Sequence, residues 1–133
     1  MLCLDTTVFI DLWRSRGQPP TPVWHALEPC RSETHITSAT TAGEFLEGAA
    51  FISEQRLQES LTFLARTRVE PVTLATALQY ARLVADLRHN NQLQGRSKAD
   101  LWNAATALEH GASLVTRNPQ HFANVPNLRV IAY

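Results

Sequence analysis

The sequence predicts an α/β domain in three layers, with helices on both faces of a central parallel sheet of four to five short strands. Three observations carry that prediction. Short, wholly apolar runs such as Met1–Leu4 suit strands covered on both faces, where no side is left for polar residues. Longer stretches with helical spacing separate these runs, and strand–helix alternation is the mark of a parallel sheet. The chain has 133 residues, the length of one domain, and its 44% of apolar residues is enough for a single core. The loop-rich stretch Gly17–Pro22 comes too early to separate two domains, so residues 1–133 form one.

Met1–Leu4 is the first strand, and Thr7–Arg16 a helix ended by Gly17 and the prolines behind it. Pro22–Glu28 is a short helix with proline in its first turn. Thr34–Thr37 is a strand, and Ser38 caps a helix running to about Ser53, with Ala42, Phe45, Leu46 and Ala49 on one face. Glu54–Thr67 continues as a second helix with Leu57, Leu61 and Leu64 at helical spacing. Arg68–Pro71 is a minimal strand. Thr73–His89 is a long helix whose polar stripe is Gln79, Arg82 and Asp86. Leu74, Leu78, Ala81 and Ala85 form its apolar side, widened by Tyr80, Leu83 and Leu87, so this helix is deeply buried or has a partner. Ser97–His110 is a helix stopped by Gly111. Ser113–Thr116 and Leu128–Ile131 are the last strands.

Charge and composition exclude several classes. Twelve Lys and Arg balance twelve Asp and Glu, which argues against a whole-surface nucleic-acid binder but allows a basic rim around an acidic pocket. Cys3 and Cys30 form no CxxC and no Cys/His pair at zinc spacing. Cys3 reads as a buried small hydrophobe. The N-terminus has no basic region, and no run approaches the ~18 apolar residues of a membrane helix. The expectation is a soluble, cytoplasmic protein without a membrane partner.

In a parallel sheet the functional crevice lies beyond the carboxyl ends of the strands. That rule points to Asp5, to the segment after Thr37 and to Thr116–His121. Asp5 follows the first strand and can be a helix cap or a crevice ligand. Glu44 lies in the first two turns of its helix, with Thr41 available as a capping-box partner. Ser97-x-x-Asp100 is itself a capping-box pattern, and an acid in a first turn suits the helix dipole. Each acid has a local structural explanation. Together they lie near helix N-termini that a parallel sheet can gather at one edge. Three converging carboxylates need a counter-charge, and oxygen ligands alone suit Mg²⁺ or Mn²⁺. Such an ion supplies a deprotonated water and neutralises charge on a phosphate.

Alternative motifs are absent. Asp5-x-Thr7 lacks the second Asp of the haloacid-dehalogenase phosphatases, and the only lysine, Lys98, stands at a helix start rather than where a receiver domain needs it. No GxGxxG, Walker or GxSxG pattern is present. His25, His35, His89 and His110 lack mutual ligand spacing. Trp13, Trp24 and Trp102 read as packing residues. Arg14, Arg16, Arg96, Lys98 and Arg117 fall near the ends that would rim the crevice, with Arg117 the foremost candidate for gripping a phosphate.

Four segments in order, LDTTVFIDLW, TSATTAGEFLEGA, SKADLWNAATALEHGASLVTRNPQHF and the terminal LRVIAY, resemble the PIN-domain family, and most of all its VapC-type ribonuclease toxins from toxin–antitoxin pairs. The resemblance spans nearly the whole chain and implies a PIN-like α/β/α domain. The family's three acids fall on Asp5, Glu44 and Asp100, as metal ligands and catalytic residues. Thr7 falls where a small polar residue supports the site, and Thr116 on the Ser/Thr after the fourth strand. The fourth acid is replaced by Asn118, and His121 stands where some members carry another acid, which leaves the number of metals open. The implied activity is Mg²⁺- or Mn²⁺-dependent endoribonucleolytic cleavage, with Asn118 among the catalytic residues and Thr7, Thr116, Arg117 and His121 binding substrate. The implied partners are RNA, a small antitoxin and a second copy of the chain. The helices over Ala42–Thr67 are the candidate surface for both protein contacts. The alternative is a PIN-like module without catalysis that binds protein or RNA; retention of all three acids favours the enzyme.

Overall fold

The computed structural model describes residues 1–133. Its elements are β1 (Leu2–Leu4), α1 (Thr6–Ser15), α2 (Pro22–Leu27), β2 (His35–Ser38), α3 (Ala39–Ile52), α4 (Glu54–Leu64), β3 (Arg68–Glu70), α5 (Leu74–His89), α6 (Lys98–Glu109), β4 (Ser113–Thr116) and β5 (Val130–Ala132). Every expected element is present, with ends displaced by a few residues. Two short 3-10 turns, Glu28–Cys30 and Pro119–Phe122, were not anticipated.

All five strands are parallel, in the order β3-β2-β1-β4-β5. The alternation of β1 side chains explains its wholly apolar composition. Leu2 and Leu4 enter a core layer with Val8, Phe9, Phe45 and Val115. Cys3 points the other way, into a layer built from Leu83, Leu87, Leu101, Leu114 and the alanines of α6. With a core on each face, no polar residue is tolerated in the strand. The strand order reverses direction at β1, which lies between β2 and β4. A crevice therefore opens beyond the carboxyl ends of β1 and β4, the topological switch point.

Local signals set the helix ends. Ser38 caps α3, its hydroxyl accepting from the Thr41 N–H at 3.1 Å. Thr73 and Thr76 form a reciprocal capping box at the start of α5. Helix α1 ends at Arg16, which takes the left-handed conformation at φ 52°, one residue before Gly17.

Two expectations about packing need correction. On α5 the face turned to α6 carries Thr76, Tyr80, Leu83 and Leu87, whereas Leu74 is 87% and Leu78 49% exposed, and Ala81 and Ala85 are exposed too. Both stripes have helical spacing. The inner one includes a polar residue, Thr76, whose hydroxyl is satisfied by donating to Glu109 at 2.5 Å, so hydrophobicity points to the wrong face. On α4, Leu64 is buried beneath the helix and only Leu61 reaches the surface. Trp102 packs as expected, stacked on Tyr80 at a centroid distance of 4.0 Å.

Candidate active site

Asp5 is the centre of the site. Leaving β1, it takes an extended conformation at the N-cap position of α1, yet its side chain makes no capping hydrogen bond. The carboxylate is buried and serves the crevice instead. Its Oδ2 accepts from the Thr7 hydroxyl at 2.9 Å and from the Thr116 hydroxyl at 2.7 Å. Its Oδ1 accepts from the Asn103 amide at 3.2 Å. Thr116 is the last residue of β4, so this bond spans the switch point. All three donors are neutral.

Glu44 does not form a capping box with Thr41, because Ser38 holds the Thr41 N–H. The Glu44 carboxylate reaches across to α1, where Thr6 donates to its Oε2 at 2.6 Å. Asp100 keeps half of its capping pattern: its backbone N–H donates to the Ser97 hydroxyl at 3.4 Å. Its side chain turns instead toward His121, with Oδ2 at 3.1 Å from Nδ1. Burial raises the Asp100 ionisation range above that of an ordinary aspartate. The Asp5 charge adds to this, His121 opposes it, and Glu44 raises it further. Asp5 and Glu44 thus both act electrostatically on Asp100. The three acids do not close into a ready-made cage, and no three acidic, imidazole or thiol side chains do so anywhere in the chain. Thr6 bonds Glu44 and His121 bonds Asp100. None of the three forms an ion pair with Lys or Arg. Three carboxylates without a Lys or Arg partner, whose neighbours are hydroxyls, an amide and an imidazole, are a donor set that fits a hard divalent cation.

The remaining candidates divide. Thr7 and Thr116 sit at the site, and both are double-ended. Thr7 also accepts from the Arg117 N–H at 3.1 Å, and Thr116 from the Asn118 N–H at 3.0 Å. Asn118 is half-buried at the head of the Pro119–Phe122 turn. His121, on that turn, lines a cavity of about 320 Å³ together with Arg96, Ser97 and Asp100. Roomier hollows lie elsewhere, such as one of about 550 Å³ beside Arg82 and Arg129, but they hold none of the three acids. The expected basic rim is partly engaged. The Arg117 guanidinium pairs with Asp11 at 2.7 Å, and Asp11 also accepts from the Tyr133 hydroxyl at 3.0 Å. Arg96 donates to the carbonyls of Gln92, His121 and Ala123, stapling the turn that carries His121.

Thr6 and Asn103 escaped the sequence reading. A signal existed for Asn103: an amide in the otherwise apolar run Leu101–Ala105, one turn after Asp100, has no reason to be there unless it is bonded. Thr6 offered no signal, because a threonine in the first turn of a helix has an ordinary local explanation and its bond to Glu44 arises only from the packing of α1 on α3.

The PIN-domain profile matches residues 2–128. The chain is 31% identical over 130 residues to the VapC ribonuclease Y4jK of Sinorhizobium fredii, covering 92% of this chain and 90% of that protein. Its fold is shared with VapBC from Salmonella typhimurium in a DNA-bound crystal structure, at a TM-score of 0.83 and 22% identity, over 98% of this chain and 96% of that one. It is shared equally with VapBC2 from Rickettsia felis bound to a promoter DNA fragment, at a TM-score of 0.82 and 24% identity, over 99% and 98%. With its strand order, its buried Asp5 and this match over nearly the entire length, the chain belongs to the PIN-domain family.

Proposed function

We propose that the protein is a divalent-metal-dependent endoribonuclease and the toxin of a toxin–antitoxin pair. The observation that supports this most is the Asp5 carboxylate, buried at the switch point, bonded only by neutral donors and acting electrostatically on Asp100. Kinship with a VapC ribonuclease points the same way. Asp5, Glu44 and Asp100 would hold Mg²⁺ or Mn²⁺, which supplies positive charge for a phosphate and acidifies water. Thr7 and Thr116 fix the Asp5 carboxylate and link it to the backbone of Arg117 and Asn118. The Asn118 amide would orient water or phosphate, and His121 would donate to an RNA oxygen at the cavity mouth. The Arg117 guanidinium would reach RNA only by sharing or leaving Asp11.

Structural neighbours include toxin–antitoxin complexes, and for this chain we assign an antitoxin to α3 and α4, where Phe51 is 93% exposed. Self-association, expected on the same helices, is assigned instead to α5, where Leu74 and Leu78 are exposed while Leu64 of α4 is buried. The activity test is cleavage of structured RNA by purified protein with Mg²⁺ or Mn²⁺. EDTA is expected to stop it, and Asp5→Asn to abolish it while circular dichroism stays unchanged. Cutting by Asp5→Asn at the wild-type rate would overturn the assignment.

A further inference from the structure

Asn103 is buried to 2% exposure among Leu101, Ala104 and Ala105. A primary amide in such a place is costly unless its polar atoms are used. Both ends are. Its Nδ2 donates to Asp5 Oδ1 at 3.2 Å, and its Oδ1 accepts from the Cys3 thiol at 3.5 Å. The direction of this relay follows from chemistry. Cys3 is wholly buried and its thiol faces the amide oxygen, so it is the S–H donor and takes the carbonyl end of the amide. The N–H end is thereby turned to Asp5.

On the other carboxylate oxygen, Thr7 and Thr116 donate together. An sp² oxygen has two in-plane lone pairs, so Oδ2 is filled and Oδ1 keeps one. We propose that Asn103 is a positioning residue for the cation site: its amide fixes the rotation of the Asp5 carboxylate so that the free lone pair of Oδ1 faces the ion, and the Cys3 thiol fixes the amide. Aspartate at position 103 would have no proton to donate and would repel Asp5. Leucine, of nearly the same size, would leave Oδ1 without its anchor. The inference rests on the divalent-cation reading above.

The test is calorimetric titration of Mn²⁺ into the RNA-free full chain, well below the melting temperatures of all variants, so that lost stability does not enter the measured Kd. Residues that orient metal ligands in this way are worth about 10- to 100-fold in affinity. Asn103→Leu is expected to weaken Mn²⁺ binding by about 10-fold or more. Cys3→Ala is expected to lose less, and Cys3→Ser, which restores a donor, to return to the wild-type Kd. Should Asn103→Leu fail to fold, the Cys3 pair decides. Wild-type Kd in Asn103→Leu, or equal losses in Cys3→Ala and Cys3→Ser, would overturn the inference while leaving the cation reading intact. No Mn²⁺ binding by the wild type itself would remove both.

Discussion

Burial and the negative charge of Asp5 hold the Asp100 carboxyl above its ordinary range, with Glu44 adding to them and His121 pulling the other way. The consequence for stability has a definite sign. A group whose folded pKa is raised favours the folded state below its unfolded value and loses that contribution as pH rises through the folded value. Ionised Asp100 therefore destabilises the metal-free protein at neutral pH. Its side chain takes no part in capping α6, since the Ser97 hydroxyl serves the backbone. Asp100→Asn is expected to leave the metal-free protein as stable as the wild type at pH 7, or more so, with the difference vanishing toward pH 3. Thermal melts across that range check it; a drop in melting temperature at pH 7 would return Asp100 to a capping role. A cation at ~100 times its Kd adds about 2.7 kcal/mol to the wild type, on the order of 10 °C for a chain of this length. Protons compete for the same oxygens, so this gain shrinks as pH falls.

Among the elements, α4 gives the sharpest test of packing. Leu61 and Leu64 share helical spacing and hydrophobicity, yet Leu64 is 5% exposed and Leu61 41%. Leu64→Asp would bury an unpaired charge and is expected to unfold the protein or lower its stability by more than about 3 kcal/mol. Leu61→Asp should shift stability by no more than about 0.5 kcal/mol. Denaturant melts separate the two, and equal losses would contradict the packing of α4. The contrast shows what the sequence leaves open. Strand positions and the caps at Ser38 and Ser97 follow from local rules, because these residues and the apolar runs act on their immediate neighbours. Which of two faces of α5 turns inward is a tertiary matter: Leu83 and Leu87 meet the core, Tyr80 stacks on Trp102 and Thr76 donates to Glu109. The partners of Asp5 were half legible. Thr116 ends β4 and Thr7 lies in the first turn of the helix just past β1, at the edge to which the crevice rule directs attention, whereas Asn103 lies inside α6, away from any strand end.

At the scale of the whole molecule, the core is complete while large apolar side chains still lie outside it. No helix is long and apolar enough to cross a membrane. Leu74, Leu78, Ala81 and Ala85 recur along one exposed face of α5 without a charged residue among them, and Val69 and Val72 at its approach are exposed as well. An uncharged stripe of this kind on a free surface is the signature of a contact. A second copy of the chain is the economical occupant, because a two-fold interface lets one stripe cover its own equivalent. The prediction is that the wild type elutes as a dimer, and that Leu74→Glu with Leu78→Glu yields a folded monomer. Both residues are already in water in the single chain, so these changes should leave its stability nearly unaltered, unlike a charge at Leu64. Light scattering across a concentration series measures the outcome. A wild type that remains monomeric at high micromolar concentration would reject the dimer, and a double variant that remains dimeric would move the contact off α5. The active sites are then expected to work independently, because Asp5, Glu44 and Asp100 all come from one chain. The monomeric variant should therefore retain RNA cleavage per site within about twofold, the margin left by context effects of roughly 0.5 kcal/mol at distant positions.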